Sequence, residues 1–78
     1  MPEFTQEEKY VLWHVGSDNE NAEEPSGFQK SLIGALFLAD RHNFLKLTIP
    51  FPEFAEAVKG WKYGELQARS GDTGLTNG

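Results

Sequence analysis

Few side chains in this sequence are spaced so that they could carry out chemistry together. His14, Ser17 and Asp18 supply the residue types of a hydrolytic triad, which needs a nucleophile, a base and an orienting group held in place. The serine and the aspartate lie in a polar stretch without periodicity, and no glycine-flanked serine elbow is present. We therefore expect no nucleophilic hydrolase site.

Other polar combinations are also incomplete. Glu53 and Glu56 lie one helical turn apart, but paired-carboxylate chemistry needs a cleft that tunes the two groups, and the chain is short for one. A zinc site needs three or four ligands, and Asp40 with His42 supplies too few. We expect no enzyme activity, no metal and no cofactor.

Charge is distributed unevenly along the 78 residues. Residues 1–24 carry seven acids against one lysine, whereas residues 25–78 carry five acids against six bases, and the net charge is −5. Nucleic-acid-binding proteins usually present a basic face, so we expect no direct binding of DNA or RNA. An acidic segment suits a basic partner instead.

The sequence also indicates a compartment. There is no cysteine, so neither disulfides nor a cysteine-rich zinc site is available. The first ten residues lack the basic and apolar regions of a signal peptide, and the longest apolar run is too short to span a bilayer. We expect one small cytoplasmic domain without membrane contact.

The longest apolar run, LIGALFLA at residues 32–39, predicts the helix around which the rest of the chain packs. Ser26 opens a capping box, so this helix is expected over residues 27–41. Apolar side chains nearly surround it, which is typical of a buried helix, and Leu36 and Phe37 are expected in the core. Its internal glycine suggests close approach of the first helix.

Two further helices flank this central one in sequence. A capping box that begins at Thr5 predicts a helix over residues 5–15. Pro52, a residue favoured in the first turn of a helix, predicts another over residues 52–63. A short helical turn is expected near residues 44–48.

The predicted fold class is all-α, a small three-helix domain with a short extra helical turn over residues 1–69. The alternative is α+β with a two-stranded ribbon from residues 10–15 and 44–49, where residue types that favour strands occur. Residues 17–25 are expected to form an exposed polar loop. Residues 70–78 hold three glycines and little to bury, so a disordered tail is expected there.

A pattern of residues runs through the part of the chain after the polar loop: Ala39-Asp40, His42-Asn43, Leu47, Phe51-Pro52-Glu53 and Ala57-Val58. It resembles small, functionally uncharacterised helical proteins encoded by bacteriophages and mobile elements. In those, an apolar helix ends in Ala-Asp, a short helix follows, and a Phe-Pro pair starts the final helix. The resemblance implies a genomic setting and no catalytic residue. It also implies charged residues near positions 44 and 45 and a small one at position 50, where this chain differs.

Five side chains are candidates for a protein interface. Leu38 lies on the far side of the central helix, and Phe44 and Leu45 are apolar where the resemblance implies charge. Lys62 and Tyr63 lie outside the inward stripe of the last helix, and tyrosine is a common interface anchor. An exposed patch of this kind usually marks a contact site.

Two hypotheses of function follow. The first is a small acidic protein–protein interaction module, such as a phage accessory or inhibitor protein that binds a host protein. The alternative is an acidic nucleic-acid mimic that inhibits a host nuclease or defence complex. A homodimer through Leu38, Phe44 and Leu45 would also bury the apolar patch.

Overall fold

The computed structural model describes residues 3–71, which form five α-helices and no β-strand. The predicted all-α class is confirmed. The ribbon alternative is wrong, because residues 10–15 run through the end of the first helix and residues 44–49 through the end of the third. The helices are α1 (Gln6–His14), α2 (Gly27–Leu38), α3 (Arg41–Thr48), α4 (Pro52–Lys62) and α5 (Glu65–Ser70).

The helix at the centre of the fold is α4. It contacts each of the other four helices, and it buries Ala55, Ala57 and Val58. Two of these three residues are alanines, whose small side chains allow other helices to pack on α4 from several sides. The prediction that α2 organises the chain was therefore wrong, because apolar content alone does not identify the helix with the most neighbours.

Helix α2 is buried on one side only. Leu32, Ile33 and Leu36 are buried against the rest of the core, whereas Ala35 and Leu38 are exposed. Its principal neighbours are α1 and α4, and two helices cover only part of its circumference. The helix is therefore less enclosed than its apolar content indicates, and Leu38, predicted on its far side, is exposed to solvent.

Side-chain caps determine where α1 and α2 begin. The Thr5 hydroxyl accepts a hydrogen bond from the Glu8 amide at 3.1 Å, and the Glu8 carboxylate accepts one from the Thr5 amide at 2.9 Å. Ser26 and Gln29 repeat this reciprocal arrangement at 3.2 and 2.9 Å. Both predicted capping boxes are confirmed, and each satisfies two amides that a helix end would otherwise leave unpaired.

Helix α5 was not predicted. It follows Gly64, whose φ of +90° suits glycine, and it buries Leu66 completely. Ser70, assigned to a disordered tail from the sequence, is instead the buried last residue of α5, and its carbonyl accepts a hydrogen bond from the Asn19 amide group at 2.8 Å. The rest of the predicted tail, residues 72–78, lies outside the described residues.

The polar loop at residues 17–25 is held against neighbouring elements by hydrogen bonds. The Glu23 amide donates to the Lys9 carbonyl at 3.1 Å, which holds the loop against α1. Pro25 is buried, and Asn19 links the loop to the end of α5. The four acidic residues of the loop are exposed, as predicted, whereas Pro25 is buried and some backbone and amide groups bond to neighbouring elements.

An ion pair joins α1 to α5. The Arg69 guanidinium binds the Glu8 carboxylate, lies 3.4 Å from the Glu65 carboxylate and donates to the Glu3 carbonyl at 3.3 Å. The hydrogen bond that Arg69 donates to the Glu8 carboxylate raises the pKa of Arg69 above its usual value, against the opposing effect of burial. A cation whose pKa is raised on folding stabilises the folded state at every pH below its usual pKa, so this contribution is present at neutral pH and is lost only in strongly alkaline solution.

The internal glycine of α2 provides a test of helix propensity. The nearest atom to a methyl group added at Gly34 is His14 Cε1, at 3.8 Å, so α1 is the neighbour that was expected but the space accepts alanine. Gly34→Ala is expected to raise the free energy of unfolding by up to about 1 kcal/mol and the thermal midpoint by about 4–8 °C. Thermal unfolding followed by circular dichroism measures both.

The control for this prediction is Gly64→Ala, which makes the same change at a positive φ. It is expected to destabilise the protein, because a side chain is strained in that conformation. A lower thermal midpoint for Gly34→Ala would show that α1 and α2 pack too closely for a methyl group.

Candidate protein-interaction surface

The candidate hydrolytic residues are engaged in separate contacts. The His14 imidazole stacks on the Phe37 ring, with ring centres 5.6 Å apart and planes 5° from parallel. The Ser17 hydroxyl accepts a hydrogen bond from the Asn19 amide at 3.0 Å. Asp18 is exposed. These contacts serve the packing of α1 on α2 and the local structure of the loop.

The carboxylate pair lies at a shallow surface depression. Glu53 and Glu56 line it together with Glu8. Glu8 binds Arg69, and Glu56 lies 3.5 Å from Lys59, so two of the three carboxylates face cations. Within residues 3–71, no group of three or more histidines and acids is arranged to hold a metal ion.

Helix α3 is positioned by its cap and by α4. The Asp40 carboxylate accepts from the Asn43 amide at 2.8 Å, which starts the helix at Arg41. The predicted turn over residues 44–48 therefore begins three positions earlier. No α3 side chain is fully buried, so this helix contributes one half-buried face to α4 and leaves the other in solvent.

A groove of about 530 Å³ lies between α3 and the C-terminal end of α4. On α3 the lining positions follow the spacing of one helical face, and on α4 they come from the last turn and the residue that caps it. Four of the five predicted interface residues line it. The lining residues are Ala39, Arg41, Phe44, Leu45, Thr48, Lys59, Lys62 and Tyr63.

Aromatic and aliphatic side chains form much of the groove surface. Tyr63 is 81% exposed and Leu45 is 57% exposed. Phe44 is half-buried, and the Lys62 ammonium lies 5.6 Å from the centre of its ring. The groove therefore presents apolar atoms to solvent beside a cation that is already in contact with an aromatic ring.

Leu38, the fifth predicted interface residue, lies next to the groove but outside it. It is 88% exposed and lines a neighbouring depression of about 500 Å³ with Leu47 and Lys46. Ala39 lines both depressions. The five predicted interface residues therefore lie in one continuous region of the surface, which consists of the groove and the neighbouring depression.

The charge of the groove is opposite to that of the protein. Arg41, Lys59 and Lys62 line it, and no carboxylate does, although the chain has a net charge of −5. Glu56 lies 3.5 Å from Lys59 across one helical turn, with both side chains well exposed. Such a surface pair contributes little free energy, so it leaves Lys59 available to another anion.

Sequence reasoning missed two of these cations, Arg41 and Lys59. Arg41 lies three, four and seven positions before Phe44, Leu45 and Thr48, which is the spacing of one helical face. That signal is visible only if α3 begins at residue 41. The predicted helical turn over residues 44–48 leaves Arg41 outside the helix, and its place on this face was therefore missed.

The acidic first third of the chain is partly neutralised by internal ion pairs. The Glu24 carboxylate lies 2.7 Å from the Lys30 ammonium, and the Glu23 carboxylate lies 3.7 Å from Lys9. Glu8 pairs with the arginine of α5. Three of the seven acids in this segment therefore face cations within the domain.

Comparisons of this chain with protein-family models, with curated proteins and with solved structures find no match. Within residues 3–71, none of the helices has the length and apolar character needed to cross a membrane. The α3–α4 groove and its charge are therefore the observations from which a function is proposed.

Proposed function

We propose that this protein is a protein–protein interaction module and that the α3–α4 groove is its contact surface. The observation that carries this proposal is one groove in which exposed Leu45 and Tyr63 lie beside three cations. Exposed apolar surface of this kind often marks a binding site. Tyrosine and arginine are also the residues most often found among the energetic anchors of interfaces.

Binding is proposed in preference to catalysis. The groove lining contains neither a histidine nor a carboxylate, which are the usual general bases. The resemblance to small phage proteins suggests a host protein as the partner, and an accessory or inhibitory role in the host cytoplasm. The partner would use the groove as a docking site and would undergo no chemical change there.

The alternative function, a nucleic-acid mimic, would act through the acidic first third. A mimic needs an array of free carboxylates, and three of the seven present face internal cations. We therefore favour the groove. Complex formation through the acidic face would weaken steeply as salt is added, whereas a contact through the groove would retain the part of its affinity that comes from its apolar side chains.

The proposal is tested by capture of partners from a host lysate with wild-type protein and two variants. Leu45→Glu places a charge in the groove, and Ile49→Glu makes a similar change at a position that is 82% exposed and outside the lining. Quantitative mass spectrometry is expected to show about tenfold or greater loss of specific partners with Leu45→Glu. Ile49→Glu is expected to retain them.

The Leu45 and Ile49 side chains are both largely exposed, so neither substitution should alter the thermal midpoint appreciably. Equal capture by wild type and both variants would contradict a role for the groove.

Light scattering tests the further possibility that the patch around Leu38, Phe44 and Leu45 forms a homodimer. A monomeric mass that persists on concentration excludes that dimer.

A further inference from the structure

We infer that the occupant of the α3–α4 groove is an acidic peptide segment that carries an apolar or aromatic side chain next to its carboxylates. This inference rests on the proposed function and specifies the chemistry of the partner. It concerns a short segment of another protein, because the groove has a volume of only about 530 Å³ and is formed by two helices and the residues next to their ends.

The charges of the groove indicate an anionic ligand. Arg41, Lys59 and Lys62 contribute to its lining, and no carboxylate does. Lys46 lines the adjoining depression and extends the positive region. Charge-assisted hydrogen bonds from lysine and arginine to carboxylates are stronger than neutral ones, and arginine binds a carboxylate through two parallel bonds. Two or more acidic side chains of a ligand would find partners here.

The apolar atoms of the groove indicate that the ligand is recognised through apolar contacts as well as through charge. Leu45 is 57% exposed, and the half-buried Phe44 ring forms a second apolar element. The volume of about 530 Å³ lies within the range of about 300–1,000 Å³ that is typical of ligand pockets. An aromatic or leucine side chain of the ligand would be buried there, and its removal from water would add affinity that salt does not screen.

Nucleic acid fits these observations less well than a peptide. A polyanion extends well beyond three cations, and the remainder of this protein carries an excess of negative charge. Unfavourable interactions with that charge act over about 10 Å at moderate salt. A short segment with a few carboxylates avoids them, because its charge is confined to the groove.

A second copy of the chain is also less suitable. Its acidic residues lie mainly in residues 1–24, and three of them already pair with cations of their own domain. Binding of that segment in the groove of another copy would be a head-to-tail contact, which forms rings or open chains in place of a closed dimer. This possibility is an outcome of the test below.

The first experiment asks which peptides the intact protein binds. An array of short random peptides is probed with labelled wild-type protein, with Arg41→Gln/Lys62→Gln, and with a control, Lys30→Gln. Lys30 pairs with Glu24 and stacks over Trp13, away from the groove. Peptides that bind wild type and the control are expected to be enriched in aspartate or glutamate together with an aromatic residue or leucine.

The second experiment measures affinity by fluorescence anisotropy with one selected peptide and its Asn/Gln analogue. Removal of the carboxylates is expected to weaken binding by about tenfold or more, and Arg41→Gln/Lys62→Gln by a similar factor. Lys30→Gln is expected to leave the affinity within about twofold. Binding should also weaken as salt is increased.

Four results would overturn the inference. Selected peptides without acidic enrichment, or binding that the groove variant retains, would remove the basis for an acidic occupant. Tighter groove-dependent binding of a single-stranded DNA oligonucleotide would assign the groove to nucleic acid. A mass in light scattering that rises with concentration and returns to monomer in the groove variant would assign it to a second copy.

The capture and peptide-binding experiments together distinguish a failure of the inference from a failure of the proposed function. If partners from the lysate are lost with Leu45→Glu but no acidic peptide binds, the groove is a protein contact site with a different specificity. If neither the capture of partners nor the binding of peptides depends on the groove, the proposed function is also wrong.

Discussion

Leu36→Ala is expected to lower the free energy of unfolding by about 2–5 kcal/mol, whereas Leu38→Ala should change it by no more than about 0.5 kcal/mol. The two leucines lie two positions apart on α2 and undergo the same substitution. Leu36 is 0% exposed and Leu38 is 88% exposed. Only the first change leaves a cavity and loses burial, so the pair isolates the effect of position on the helix.

Chemical denaturation followed by circular dichroism measures this difference. A small domain has little stability to spare, so Leu36→Ala is expected to reduce the thermal midpoint strongly or to abolish cooperative unfolding. Equal stability of the two variants would mean that α2 does not present its Leu36 face to the core. A large loss with Leu38→Ala would mean that this residue is covered in solution, as by a second copy.

Leu66→Ala is expected to have an effect of the same size, about 2–5 kcal/mol. Leu66 is 0% exposed, and its Cβ lies 3.4 Å from the place that a Cβ would occupy at Gly60, so α5 packs closely on α4. The loss should appear in the whole domain, because α4 contacts every other helix. The same denaturation measurement applies.

The control for this second prediction is Leu66→Met, which conserves volume and is expected to cost less than about 1.5 kcal/mol. Loss of only a few tenths of a kcal/mol with Leu66→Ala would show that α5 is an appendage that unfolds without disturbing the core. Equal losses for Leu66→Ala and Leu66→Met would indicate that shape, and not buried volume, determines the packing at this site.

The parts of the fold that were predictable depend on local chemistry. The caps formed by Thr5 and Ser26 involve residues three positions apart, and Pro52 fixes the first turn of α4 through its own ring. These interactions are encoded in short stretches of sequence. The sequence therefore predicted the all-α class and the starts of the three longer helices.

The parts that were not predictable depend on which surfaces meet. Ala55 and Ala57 are small, and nothing in their types indicates that α4 has the most neighbours. Helix α5 has no side-chain cap and only six residues, so its signal in the sequence is a single large apolar residue, Leu66. For the groove, the sequence indicated the apolar residues and Lys62, but the role of Arg41 depends on where α3 begins.

The link between Arg69 and the start of the chain has a consequence for anything attached to this domain. Arg69 donates to the Glu3 carbonyl at 3.3 Å and binds Glu8, so residues 3 and 69 lie side by side in the folded state. Segments that continue from residues 3 and 71 would therefore leave from the same region of the domain and would be held at a high effective concentration relative to each other. The folded domain would keep such segments close together, and its unfolding would separate them.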